Sequence, residues 1–341
     1  MSFAFSFNPD SDDESSPSID VSPPHPTKTL DSLSILPSNL PQLHTLDSLL
    51  QRLENVRLSF DTYTTLEGQI IYRRQLFDVK HQIMCEDDQE SNSVSILLED
   101  IEDVKTNVYE GGFKSWECSY DVINKLARTD VSKYNSCLDL GCGTSLPTCF
   151  LFMKHLEAIK NGAPVTPLKY ILSDFNYEVL RLVSLPNLII HWASTLSVEK
   201  LSSLTSPDVN LANNELLLSA ELISVFKSSL SQIQIELKFV SGAWGYEFNA
   251  LVASENIYFV ITSETIYSQE ISPVIAETLL YFSRGVERFY AMVAAKNIYF
   301  GVGGSVHGFL SYFSSINDGI QVEVEEIGSS QLKRSIIELT R

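Results

Sequence analysis

"LDLGCGTSLP", residues 138–147, ends an apolar run on an acidic residue, turns on two glycines and enters a helix-compatible segment. Gly141 and Gly143 lack a Cβ, so the backbone can turn sharply there and approach a ligand closely. The helix that follows presents unpaired N–H groups at its start. A nicotinamide enzyme would complete GxGxxG to seat a pyrophosphate, and a P-loop would carry GKS or GKT. Here the run is Gly-Cys-Gly-Thr-Ser-Leu, with neither the third glycine nor the lysine. The turn is either a plain strand-to-helix connection or the seat of a ligand without phosphates.

Around the turn, strands and helices alternate. "SCLDLG" (136–141) reads as a buried parallel strand and "PTCFLFMKHLEAIK" (147–160) as its helix. A second strand over 168–175 is followed by a helix over 176–185. A helical stretch over 213–230 leads to a third strand, 233–242. A fourth strand spans 256–267 and is followed by a helix over 273–286. A fifth spans 288–296, with a helix over 305–316. Segments 320–328 and 333–340 close as an antiparallel hairpin. The pattern predicts an α/β fold: a doubly wound, mostly parallel seven-stranded sheet with a C-terminal antiparallel hairpin. Such Rossmann-like sheets bind ligands beyond the carboxyl ends of their strands.

Asp174 falls at the end of the second strand, where a carboxylate can accept both hydroxyls of a ribose that lacks a 2′-phosphate. An antiparallel pair added to a parallel sheet is familiar from methyltransferases that use S-adenosylmethionine. That cofactor has a ribose and an adenine but no phosphate, and its sulfonium is a cation suited to aromatic faces and carbonyls.

Composition bounds the rest. The chain has 341 residues, 44% hydrophobic and 20% charged, enough for a sizeable core. No apolar run reaches the roughly 18 residues of a membrane span, and the N-terminus lacks the basic and apolar regions of a secretory signal. The five cysteines are read as reduced intracellular thiols, because the spacings of Cys137, Cys142 and Cys149 do not form a zinc pattern. No metal is expected. A net charge of −19 argues against a nucleic-acid grip and fits a basic partner, or simply solubility. Residues 1–40, rich in Ser, Pro and Asp, are expected to be disordered. Residues 41–104 form an N-terminal extension in which 40–60 carries helical spacing, and "EDDQESNSVSILLEDIED" (86–103) reads as a solvated acidic segment.

Six stretches carry a resemblance: "VYEGGFKSWECSYDVI" (108–123), "LDLGCGTSLP", "SDFN" (173–176), "SGAW" (241–244), "TSETIYS" (262–268) and "AAKNIYFGVGG" (294–304). Residues of about 100–341 resemble the seven-strand, class I protein-histidine methyltransferases that modify a histidine of ribosomal large-subunit protein three. The resemblance implies a methyltransferase domain over 105–341 with S-adenosylmethionine as cofactor. It implies a basic ribosomal large-subunit protein as substrate, with no direct nucleic acid and no membrane. A monomer in the cytoplasm or nucleus is expected. Ser115, Trp116, Glu117, Cys118 and Ser119 would line the methionine end. Gly141 and Gly143 would form the turn, buttressed by Asp139. Asp174, Phe175 and Asn176 would take the ribose and one adenine face, and Gly242, Ala243 and Trp244 would bracket the adenine. Ser263 and Glu264 would face the methyl and the acceptor, with Glu264 as the catalytic candidate. Two positions depart from the family pattern: Ser145, where many members have a third glycine, and Ala243, where an acidic residue is common.

Alternatives stay open from the residues alone. Trp116 and Trp244 also read as core aromatics, Glu264 as a helix cap or paired buried carboxylate, and "FGVGG" as a flexible turn. His155 and His191 read as structural. A lysine methyltransferase of the same fold and a non-catalytic acidic binding module are the rival functions. A histidine acceptor needs no strong base, because most imidazole is already neutral near pH 7. It needs a choice of nitrogen, which a group accepting the other N–H would supply.

Overall fold

The computed structural model describes residues 39–87, 111–205, 211–328 and 333–341. The expectations for the tail 1–40 and for the acidic segment 86–103 fall almost wholly outside these residues.

The chain begins with β1 (Gln42–His44) and α1 (Leu46–Gln51), where Thr45 Oγ1 accepts the Ser48 N–H as an N-cap. β2 (Arg57–Thr64), β3 (Ile70–Arg74) and α2 (Leu76–Asp87) follow. The helix predicted over 40–60 is therefore confined to 46–51. Leu58 and Phe60 are buried on alternate positions, so the period there is that of a strand. α3 (Glu117–Arg128), β4 (Ser136–Leu140), α4 (Leu146–Lys160) and β5 (Leu168–Asp174) come next. After α5 (Tyr177–Val179), one π-helical turn (Leu180–Ser184) runs into α6 (Leu185–Ser194), nine residues beyond the predicted helix end. Pro186 follows the π-helical turn inside a continuous helix, so its missing N–H removes one donor from the helical ladder there.

α7 (Val198–Ser202) precedes β6 (Glu215–Leu217) and α8 (Ala220–Gln232). The helix predicted over 213–230 thus begins as a strand, because Glu215–Leu217 pairs with Arg57–Ser59 of β2. The remaining elements are β7 (Ile235–Ser241), α9 (Tyr246–Val252), β8 (Phe259–Ser263), α10 (Ile271–Arg284), β9 (Tyr290–Lys296), α11 (Val306–Ile316), β10 (Gln321–Ile327) and β11 (Arg334–Thr340).

The main sheet has the order β1-β7-β5-β4-β8-β9-β11-β10. Strands β7, β5, β4, β8 and β9 run parallel, and β11 and β10 add antiparallel on one flank. The seven predicted strands are all present with the expected hairpin. An eighth, β1, adds antiparallel to β7, with Gln42 opposite Ser241. Three residues without apolar alternation gave no sequence signal for it. A second small sheet, β3-β2-β6, packs its apolar side into the same core as α4 and α6, so the N-terminal extension shares that core.

Buried polar groups tie the extension to the central turn. The Asn187 amide donates to Thr144 O (2.9 Å) and its oxygen accepts the Arg74 N–H (2.7 Å). The Arg74 guanidinium, fully buried, donates to Leu182 O in the π-helical turn (2.7 Å), satisfying a carbonyl where the helical ladder changes register. His191 is fully buried; its Nδ1 meets Asn187 O (2.7 Å) and its Nε2 accepts the Tyr72 N–H (3.2 Å). Burial pushes its pKa down to about 4, partly opposed by the bond to Asn187. The folded value lies below the unfolded one near 6.5, so as pH falls the unfolded chain binds this proton first. The stability that neutral His191 contributes is complete above pH 6.5 and is lost on the way down to 4, by about 3 kcal/mol. Because the raised Asp139 carboxyl works in the opposite sense over the same range, the difference between wild type and His191→Gln in urea unfolding carries the His191 slope; a pH-independent difference would refute the assignment. His155, which bonds Tyr170 through Nδ1, is likewise pushed down by burial.

Candidate cofactor and acceptor site

The carboxyl ends of β4, β5, β7 and β8 meet the start of α3, and there the sequence-predicted residues gather. After β4 the chain reverses on Gly141 (φ +75°) and Gly143 (φ +48°). A Cβ on Gly141 would lie 2.4 Å from Thr265 Cγ2 and 3.0 Å from the Trp244 ring, so only glycine fits. The Gly141 and Cys142 N–H groups both donate to Ser173 O, which locks the turn to β5. Ser145 also lies in the left-handed region, φ +47°. The family's missing glycine is thus absent in residue type but present in conformation, at a cost of roughly 1 kcal/mol. Asp139 is buried behind the turn and accepts the Thr148 hydroxyl (2.6 Å). Burial raises its pKa to about 7, against the opposing hydrogen bond from Thr148.

Asp174 stands between the turn and the next loop. Its Oδ2 accepts the Gly143 N–H (3.0 Å) and its Oδ1 accepts the Asn176 N–H (3.1 Å). The loop before α3 crosses here: a Cβ on Gly112 would approach Asp174 Oδ2 to 3.1 Å. The Ser184 hydroxyl donates to Gly143 O (2.7 Å) and Ser115 reaches the Thr144 hydroxyl (3.2 Å). Phe175 is half-buried, and both Asp174 O and Phe175 O accept the Gly242 N–H. Gly242 (φ +109°) faces the N-terminal segment, where an added Cβ would meet Leu40 O at 2.6 Å. The Ala243 N–H donates to Asn39 O (2.8 Å). Trp244 lies over Gly141 and donates its Nε1–H to Ser173 Oγ (3.0 Å). It therefore packs on the glycine turn as well as following β7.

On the acceptor side, Glu264 follows β8 in the left-handed region, φ +61°, strained for a residue with a Cβ. Its N–H donates to Ala294 O (2.8 Å). Its Oε1 receives the Cys118 N–H (3.5 Å) and its Oε2 receives the Tyr299 hydroxyl. Trp116, the N-cap of α3, offers no side-chain cap, so Glu264 reaches across to serve one of the helix's open N–H groups. Glu264 thus caps α3 and takes the Tyr299 hydroxyl as a partner, half-buried rather than buried. Ser119 Oγ donates to Trp116 O (2.6 Å), and the Trp116 Nε1–H donates to Gly111 O (3.2 Å). Glu117 turns outward to Lys296 Nζ (3.1 Å), whose ammonium sits 5.1 Å above the Trp116 ring. Burial works against the Lys296 charge, but Glu264 and Glu117 outweigh it and raise its pKa. Burial and the Glu264 charge push Tyr299 up, so its hydroxyl stays protonated as a donor. The same two causes raise the Cys118 thiol, which is therefore not a nucleophile.

These residues fit a compact nucleoside without phosphates. The turn allows close backbone approach, Asp174 carries a carboxylate at the second strand end, and Ser263 Oγ is buried with no hydrogen-bond partner among the described residues. Asn187, Ser184 and Tyr299, which hold the site, were not singled out from sequence. Tyr299 lay in a stretch carrying the resemblance, whereas Asn187 gave no local signal.

A protein of Saccharomyces cerevisiae named Histidine protein methyltransferase 1 is 39% identical over 87% of this chain and 84% of its own length. The chain belongs to the histidine protein methyltransferase family. A Schizosaccharomyces pombe protein of the same name is 34% identical, covering 79% of this chain and 77% of its own. A Bos taurus homologue is 29% identical over 77% of this chain and 64% of its own. No family model matches the chain. Among solved structures, the rRNA methyltransferase AviRa from Streptomyces viridochromogenes aligns with a TM-score of 0.39 at 14% identity, over 73% of this chain and 95% of its own. The strand order, rather than that likeness, fixes the fold of this methyltransferase. The protein is a protein-histidine N-methyltransferase whose cofactor is S-adenosylmethionine. No helix among its described residues is long and apolar enough to cross a membrane.

Proposed function

We propose that the protein methylates a histidine of a basic ribosomal large-subunit protein, acting as a monomer in the cytoplasm or nucleus, with Glu264 orienting the acceptor ring. The observation that supports the residue role is the strained carboxylate at the end of β8, fixed by the Cys118 N–H and the Tyr299 hydroxyl. When bound, S-adenosylmethionine supplies an electrophilic methyl group on a sulfonium. Trp116, Ser119, Asp174 and Ser263 would hold its methionine, ribose and methyl regions, in positions named from the resemblance. A carboxylate has about four acceptor positions, and two on Glu264 are used. A third can take the N–H of one imidazole nitrogen, leaving the lone pair of the other directed at the methyl carbon. The chain's remaining work is alignment and exclusion of water.

The charge of −19 supports a basic substrate, and the resemblance supports its ribosomal identity. Incubation with labelled cofactor and an extract of cells lacking the protein should label one basic large-subunit protein on histidine. Label on lysine, or on no ribosomal protein, would reject this reading.

A further inference from the structure

We infer that the loop 297–304 is a docking lip for the stretch of substrate polypeptide beside the acceptor histidine, and that it receives an apolar side chain of that stretch. The inference rests on the proposed basic polypeptide substrate and on the acceptor side lying at Glu264.

The loop is pinned rather than loose. The Tyr299 N–H donates to Gly304 O (2.9 Å), the Gly303 N–H to Tyr299 O (3.1 Å) and the Gly304 N–H to Tyr267 O (2.9 Å). Ser268 bridges Gly303, and Ile298 bridges Ser305. Gly304 passes so close to the 266–267 backbone that a Cβ would sit 2.1 Å from Tyr267 C. Within this frame the side chains alternate. Tyr299 points inward to Glu264, while Ile298, Phe300 and Val302 are 55%, 79% and 52% exposed. Single exposed apolar residues are ordinary; three within five residues on a fixed loop mark an interaction surface.

Position and charge select the occupant. Tyr299 of the loop holds the group assigned to the acceptor, so a polypeptide delivering its histidine to Glu264 passes the outward residues. The two segments that build the lip, 262–270 and 294–305, carry Glu264 and Glu270 against Lys296, and Lys296 is engaged by Glu117. That balance favours a stretch carrying Lys or Arg together with an apolar residue.

The test uses the full chain, labelled S-adenosylmethionine and three 20-residue peptides with one central histidine. The first has a Lys/Arg-rich background with Leu within three residues of the histidine, the second has Ser in place of Leu, and the third has an acidic background. The wild type should prefer the Leu peptide at least fivefold in kcat/KM. Phe300→Ser should lose about tenfold on the Leu peptide and stay within twofold on the Ser peptide, with unchanged cofactor Kd and Tm. Equal activity of Phe300→Ser and wild type on the Leu peptide would overturn the lip while leaving the basic-substrate reading intact. Preference for the acidic peptide would overturn both. Methylation of none of them, with cofactor binding retained, would overturn the lip as a reader of linear sequence. In a Cys85→Ser background, Phe300→Cys should react quickly with maleimide and be protected by the Leu peptide. Slow reaction without peptide would mean that the chain covers its own loop, against the inference.

Discussion

Glu264→Gln is expected to lower turnover on the order of 100-fold while cofactor affinity changes less than twofold. Glutamine keeps one carbonyl oxygen, which can still accept the Cys118 N–H and cap α3. Its amide would then face Tyr299, whose hydroxyl can rotate to accept. The fold should survive. On the proposed role, what is lost is the negative acceptor for the imidazole N–H, and with it the preference for one ring nitrogen. Steady-state kinetics with calorimetry of cofactor binding checks this, and unchanged turnover removes Glu264 from the role. A mixture of two methylhistidine isomers in the residual product would support the orienting function directly.

Asp174→Ala is expected to weaken S-adenosylmethionine binding by about 2 kcal/mol, roughly thirtyfold in Kd. The resemblance assigns this carboxylate to a ribose, and it also restrains the Gly143 and Asn176 N–H groups. Its removal therefore takes away a ligand contact and loosens the turn that shapes the pocket. Asp174→Asn should fall between the two, because it preserves shape and one acceptor but replaces the other with a donor. Calorimetry showing equal affinity for wild type and Asp174→Ala would contradict the placement.

The parts legible in the sequence were those governed by local chemistry. The two glycines announced the turn, apolar runs announced the five parallel strands, and the acidic strand end announced Asp174. The hairpin was legible because 320–340 alternates between turn signals. Illegible parts depended on distant partners. "ELLL" (215–218) has local spacing compatible with a helix, and only pairing with β2 makes Glu215–Leu217 a strand. β1 is a strand because β7 offers an open edge. In the site, the glycine turn and both strand ends were legible, whereas Tyr299 as the partner of Glu264 was not. They lie 35 positions apart with α10 and β9 between them, and no spacing rule spans that distance.

The small strand β1 has a wider meaning for how the protein coexists with other chains. An unpaired seven-residue flank on β7 would invite invasion by any extended polypeptide. β1 covers three of those residues, Phe239 to Ser241, and on the far side β10 carries Glu323, Glu325 and Glu326 along its length. Both borders of the sheet are thus poorer templates for strand addition by other extended chains.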